Sequence, residues 1–139
     1  ELEVVPQGTL AERLRASGAG IGGFFTPTSA STPLAEGKET RVIDGKDHVL
    51  ELPIRADVAL IKADKADPWG NLTYRKAARN FAPNMAMAAA LTIVQARVIV
   101  GLGDIDPEQV VTPSIFVDRI VEVSDPVSEA AALLEQANA

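Results

Sequence analysis

Polar and apolar residues alternate in short runs along most of this chain, and the spacing turns helical at intervals. Glu1-Leu2-Glu3-Val4-Val5 opens with polar–apolar alternation and predicts a strand. Thr9–Ala16 predicts a helix, with Thr9 as cap, Glu12 three residues on to complete a capping box, and Gly18-Ala19-Gly20 to end it. Phe24–Thr26 predicts a short strand, and Pro27–Lys38, rich in Ser, Thr, Pro and Gly, a loop. Arg41-Val42-Ile43 and His48-Val49-Leu50-Glu51 flank Asp44-Gly45, a strong hairpin signal. Val58–Lys62 is a buried strand, Asp64–Asn71 a polar loop, and Leu72–Tyr74 a short strand.

The second half repeats the interleaving. Pro83–Ala90 predicts a helix, and Leu91–Gln95 a strand of β-branched residues that Arg97–Gly101 extends. Asp104–Gln109 is a turn or short helix with Pro107 in its first turn. Ile115–Val123 alternates as a last strand, and Pro126–Asn138 is an Ala- and Leu-rich helix open to docking on a neighbour. Strands between helices point to an α/β fold with a mostly parallel central sheet flanked by helices, and the hairpin reads as an insertion. The division this implies is one domain over residues 1–124 and a helical tail over 125–139.

Composition narrows the chemistry. With 139 residues the chain is one domain long and can bury a real core. Its formal charge is −6, with Lys and Arg spread rather than blocked, which argues against nucleic acid as a partner. No cysteine is present, which excludes a disulfide framework, a thiolate metal site and a Cys nucleophile and fits a cytoplasmic protein. His48 is the single histidine, so no multi-histidine metal site or obvious Ser-His-Asp triad can form. The longest uncharged stretch, Asn80–Ala96, carries Asn, Pro, Thr and Gln and falls short of a membrane span.

Several residue groups invite a functional reading. Gly18-x-Gly20-x-x-Gly23 matches the dinucleotide fingerprint by letter, but it follows a helix and opens a strand, the reverse of what pyrophosphate binding needs. These glycines read as a helix stop and a close-packing point. Gln7, between the predicted first strand and first helix, sits at a strand-to-helix corner, where α/β folds gather ligands. Its amide can donate to a developing oxyanion, or it is a solvent-facing turn residue. Arg75, Lys76 and Arg79 form a basic island in an acidic chain, suited to a carboxylate or phosphate; the alternative is a solvated loop and helix start. Asp64, Asp67, Asp104 and Asp106 come in close pairs, but in Gly- and Pro-bearing loops they read as solvated turns, and His48 beside the hairpin as exposed.

Three segments carry a resemblance. Val5-Pro6-Gln7-Gly8-Thr9-Leu10-Ala11-Glu12-Arg13-Leu14, Phe24-Phe25-Thr26-Pro27-Thr28 and Trp69-Gly70-Asn71-Leu72-Thr73-Tyr74-Arg75-Lys76-Ala77-Ala78-Arg79-Asn80-Phe81 stand in the order found in the alpha subunit of class I coenzyme A transferases, which the chain resembles from Glu1 to about Val123. The resemblance implies ping-pong transfer of CoA between carboxylic acids through a glutamyl-CoA thioester. The glutamate lies in a Ser-Glu-Asn-Gly context on a beta subunit; that motif is absent here. It implies an oxyanion-hole role for Gln7 and an acyl pocket beside Thr26, Thr28 and Ser29. It adds Asn71, Arg75, Arg79 and Asn80 as substrate-binding candidates. Relatives commonly have glycine where Ser29 or Ser31 stands, and a different pair where Gly22-Gly23 stands, so the pocket wall differs.

Trp69 ahead of Gly-Asn-Leu-Thr-Tyr-Arg-Lys is most similar to members acting on 3-oxoadipate with succinyl-CoA; acetoacetate-type and short-chain fatty acid members are the alternative. The implied partners are that beta subunit, in a hetero-oligomer, with acyl-CoA and carboxylic acids as substrates, coenzyme A as substrate rather than resident cofactor, and no metal. Within the family a Gly-rich CoA-binding motif precedes this region; no such motif and no initiating Met stand here, so a fragment of a longer subunit is expected. A non-catalytic scaffold or an anion-binding fragment is the reading from other classes.

Overall fold

The computed structural model describes residues 2–137. Two long strands make its centre. β4 (Ala56–Ala66) and β6 (Ala89–Ile99) pair in parallel, with Val58 opposite Leu91 and Ala63 opposite Ala96. β7 (Arg119–Glu122) continues the parallel ladder on β6, and the short β5 (Leu72–Thr73) folds back antiparallel on β4, giving the order β5-β4-β6-β7. The connection from β4 to its parallel neighbour passes through β5, a 3-10 turn at Lys76–Ala78 and the helix α2 (Ala82–Ala88). Such a crossover is what parallel pairing requires. The sequence-based fold class, α/β with a mostly parallel sheet, is the one observed.

Alternation along β4 sorts the two faces. Ala59, Ile61 and Ala63 are buried, whereas Val58, Leu60 and Lys62 are exposed. Val94 and Ala96 of β6 join the buried face, and Ala82 and Ala86 of α2 meet it. The alanines permit a short helix to lie close to the sheet, where larger side chains would hold it off. Thr92 ties the corner between α2 and β6: its hydroxyl donates to Ala86 O (3.1 Å) and its N–H to Asp118 Oδ2 (2.7 Å).

A second layer is built on α2. The helix α1 (Gln7–Gly18) packs against it, and Asn84 Nδ2 donates to Ala11 O (3.3 Å). The predicted hairpin is present as β2 (Thr40–Ile43) and β3 (Lys46–Glu51), with Asp44 and Gly45 both at positive φ (51° and 74°), as a two-residue turn of this kind demands. β1 (Phe24–Thr26) pairs on the other side of β3, so the hairpin belongs to a separate antiparallel sheet of order β1-β3-β2. A last helix, α3 (Pro126–Ala137), follows β7 with Val127, Leu133 and Leu134 exposed. Asn138 and Glu1 lie outside the described residues.

Several expected elements are corrected. Residues 2–6 form no strand, because among the described residues no ladder partner lies beside them; Leu2 and Val4 are exposed. Helix α1 starts at Gln7 after Pro6, whose carbonyl accepts from Leu10 N (2.9 Å). Thr9 is therefore inside the helix and buried, not its cap, and Glu12 chelates Arg15 (2.6 and 2.8 Å) rather than closing a capping box. Strand β4 runs on through Asp64 to Ala66, so the expected polar loop begins only at Asp67. Strand β6 is one unbroken element and starts at Ala89, which shortens α2. Residues 114–116 form a 3-10 turn behind Pro113 instead of the start of a strand, and pairing begins at Arg119.

Of the Gly18, Gly20 and Gly23 set, each has a packing or backbone reason. A Cβ at Gly18 would run into Met87 Cβ and lie 2.8 Å from Met87 O, so this glycine is the contact point of α1 and α2. Gly20 has φ 71°, and a Cβ at Gly23 would crowd Glu51 O at 3.2 Å. Gly18→Ala should therefore destabilise the chain by about 1–3 kcal/mol through overpacking against backbone, whereas Gly8→Ala meets open space. Paired urea melts check this, and an unchanged midpoint for Gly18→Ala would show that the two helices can separate freely.

Candidate active site

Gln7 is the first residue of α1 and is exposed. Among the described residues no strand leads into it; the proline before it, φ −58° and ψ 141°, turns the extended chain directly into the helix. The first-turn amides have no intrahelical acceptor, and next to Gln7 a Cβ on Gly8 would meet nothing within 4 Å. The surface beside this helix start is open, partly positive by the helix dipole, and carries one uncharged amide side chain.

The Phe24–Ser29 segment leaves β1 at Thr26, paired with Val49. Thr26 Oγ1 accepts from Thr28 N (3.2 Å), which turns the chain; Thr28 is exposed and Ser29 half-buried. Ser29 has φ 71°, the left-handed region that glycine adopts without cost. Ser29 O accepts from Thr32 N (3.1 Å) and Thr32 Oγ1 (2.9 Å), so the strained residue is held by its neighbours.

The turn between β4 and β5 is built around Asp67. Its side chain is buried and accepts from the backbone N–H of Trp69 (3.0 Å), Gly70 (2.9 Å) and Asn71 (2.9 Å), while its other oxygen accepts from Asn71 Nδ2 (2.8 Å). Asn71 Oδ1 in turn accepts from Ser114 N (3.0 Å). Asp67 is thus no solvated turn residue, and the Asn71 amide is engaged on both sides within the chain. Burial pushes the Asp67 carboxyl up, but the Asn71 amide and the three backbone donors outweigh it and hold it below the usual carboxylate range. The spacing Asp-x-x-Gly-Asn carries the signal: an acid ahead of a glycine at φ 104° is placed to collect the turn's free N–H groups.

Arg75 points elsewhere. It lines a groove of about 260 Å³ with Lys62, Lys76, Asp64, Arg97 and Pro126. Arg97 Nε donates to Asp64 Oδ1 (2.8 Å), and this bond, opposed by burial and helped by the charges of Arg97, Arg75 and Lys65, holds the Asp64 carboxyl low. Lys62 lies on the face of the sheet that α2 leaves open, so this groove is distinct from the start of α1. Lys76 has φ 54°, and Arg79 and Asn80 are exposed at the approach to α2. The candidate residues consequently lie apart: Gln7 at the α1 start, Thr26, Thr28 and Ser29 in the loop after β1, Asn71 in the Asp67 turn, Arg75 in the cationic groove, and Arg79 and Asn80 before α2. Asp104 and Asp106 accept from Gly101 N and Glu108 N in exposed turns, and His48, expected to be exposed, is half-buried with Nδ1 2.8 Å from Lys46 O.

The mostly parallel sheet and its crossover helix are those of an α/β protein. The coenzyme A transferase family model matches residues 1–123, and the chain belongs to that family. It is 66% identical over 124 residues to a 3-oxoadipate CoA-transferase subunit from Pseudomonas putida, covering 89% of this chain and 54% of that protein. It is 60% identical over 121 residues to a succinyl-CoA:3-ketoacid coenzyme A transferase subunit from Xanthomonas campestris pv. campestris, covering 87% and 50%. The chain thus spans about half the length of the curated relatives it matches. Its fold matches an E. coli acyl-CoA transferase solved as a thioester complex with CoA, at TM-score 0.75 and 24% identity over 87% of this chain and 29% of that one.

Because the folded value of Asp67 is depressed, its contribution to stability is fully present above the unfolded carboxylate pKa of ~3.9 and is lost as pH falls through the lower folded value. Asp67→Ala should cost about 2–4 kcal/mol at neutral pH by orphaning buried donors. The gap from the unmodified chain should narrow below about pH 4. Urea melts at stepped pH test this, and a gap independent of pH would contradict it.

Proposed function

We propose that this chain is the alpha-subunit part of a CoA transferase that moves CoA from succinyl-CoA to a 3-oxo acid, 3-oxoadipate. The observation that carries the reading is the 66% identity to the Pseudomonas putida 3-oxoadipate CoA-transferase, which extends over 89% of this chain. The acetoacetate-type alternative rests on 60% identity to the 3-ketoacid enzyme, and Trp69, exposed on the β4–β5 turn, favours the 3-oxoadipate branch.

In the proposed reaction a beta-subunit glutamate attacks the thioester carbonyl of succinyl-CoA. A tetrahedral oxyanion forms, CoA leaves as thiolate, and an acyl-glutamyl anhydride remains. The thiolate then attacks the glutamyl carbonyl of the anhydride and expels succinate, leaving a glutamyl-CoA thioester. 3-Oxoadipate attacks this thioester, forms a second anhydride and releases the thiolate again, which takes the acyl group as 3-oxoadipyl-CoA and restores the glutamate. Covalent catalysis of this kind divides one hard exchange into easier ones.

The residues of this chain supply surroundings rather than the nucleophile. Gln7 is neutral, so its amide stabilises the oxyanion without pairing permanently with the glutamate, and the α1 N-terminus adds partial positive charge at the same place. Thr26, Thr28 and Ser29 line the acyl side. Arg75, Arg79 and Asn80 supply donors for the anionic parts of the substrates, whereas the Asn71 side chain, expected to bind substrate, is taken up by Asp67 and Ser114. Partner, hetero-oligomeric assembly and cytoplasmic location belong to the same proposal. Among the described residues no helix is long and apolar enough to cross a membrane.

In the enzyme assembled from the full-length alpha chain and its beta partner, Gln7→Ala should lower kcat roughly a hundred- to thousand-fold, the cost of one oxyanion donor. Assembly and melting temperature should stay unchanged, since Gln7 is exposed. Steady-state kinetics with succinyl-CoA decide it, and a kcat near that of the unmodified enzyme would remove Gln7 from the site.

A further inference from the structure

We propose that Glu51 is a positioning residue that fixes the Thr26–Ser29 loop and helix α1 in a common frame. Glu51 ends the central strand of the antiparallel sheet, and its side chain is only 3% exposed. A carboxylate in such a place must be matched by charge or hydrogen bonds. The matching groups come from two different elements. Lys38 Nζ donates to Glu51 Oε1 at 2.6 Å from the end of the 27–38 loop. Arg13 Nε lies 3.9 Å from Oε2, on α1. That guanidinium is itself anchored, since Nε donates to Leu52 O (2.7 Å) and Nη1 to Glu3 Oε1 (3.0 Å).

The sheet alone does not call for a charge at this position. β3 is already paired on both sides, and an apolar side chain would meet the burial without a desolvation cost. What the charge adds is direction. The 27–38 loop contains a single 3-10 turn, Pro33–Ala35, and otherwise short turn bonds. At its start it is held by the pairing of Thr26 with Val49. At its end it is held by Lys38 and by the bond from Leu50 N to Glu39 O (2.8 Å). Between Lys38, Arg13, Glu51 and Leu52 lies a cavity of about 240 Å³, so close packing does not set the spacing here. The ion cluster does. Thr28 and Ser29 hang between the two anchors, and Arg13 lies on the helix that begins at Gln7.

The inference takes its chemical meaning from the proposed function, but its physical content can be read without activity. Amide hydrogen exchange of the full chain should show Ala30, Thr32, Ala35 and Lys38 exchanging roughly tenfold faster or more in Glu51→Ala, the scale expected when a buried pair loses a partner. Val94 and Ala96 in the central sheet should keep their rates. Glu51→Gln, which retains an acceptor for Lys38, should lie between; it and Lys38→Ala carry the test if Glu51→Ala does not fold. In the assembled enzyme, Glu51→Ala and Lys38→Ala should each raise the KM for the acceptor acid more than they lower kcat, and the double variant should be no worse than Glu51→Ala alone. Unchanged loop exchange, equal acceleration throughout both sheets, or additive effects of the two substitutions would overturn the proposal. An assembled enzyme without transferase activity would overturn the proposed function instead, and the exchange rates would still decide the role of Glu51.

Discussion

The close approach of α2 to an alanine-lined sheet face governs the rest of the molecule. Ala59, Ala63 and Ala96 on the sheet and Ala82 and Ala86 on the helix leave room for the crossover to complete a parallel pair in few residues. α1 is then placed on α2 through the bare backbone at Gly18, and its first turn points Gln7 away from the core. A larger side chain at any of these points would displace α2, and with it the helix whose start carries the candidate oxyanion donor. The stability of the α2 layer and the geometry of the candidate site are therefore one problem.

Much of this was legible in the chain, and the failures have physical causes. Asp44-Gly45 specifies a hairpin because both residues tolerate positive φ, and the glycines at 18, 20 and 23 read correctly as packing and stop signals because their context rules out a phosphate loop. The strand expected before Pro6 failed because alternation describes a surface, not a partner, and none of the described residues pairs there. The capping box failed because Pro6 initiates the helix earlier than Thr9. The ends of β4 and β6 were misplaced because polar Asp64 and small alanines give no periodic signal, while their long register is a tertiary property.

The site was legible in part. Gln7 reads as a helix-start amide from local sequence, although among the described residues the helix follows Pro6 and not a strand. Asp67 and Glu51 were missed as organisers, since both are acids in segments that read as loop or hairpin edge, and only the fold shows them buried among donors. Asp67 draws together the N–H groups of its own turn, whereas Glu51 joins elements far apart in sequence. The second kind of contact leaves no local signature. The cationic groove at Lys62 and Arg75 likewise depends on strand pairing and not on the basic run alone.

The proposed reaction divides the labour: this chain would stabilise developing charge while a glutamate of another subunit carries the CoA. The direct test is to treat the assembled enzyme with succinyl-CoA, reduce the thioester with borohydride and map the modified peptide. One glutamate of the beta subunit should bear the mark, with none on this chain. Reduction at any Asp or Glu of this chain would contradict the assignment.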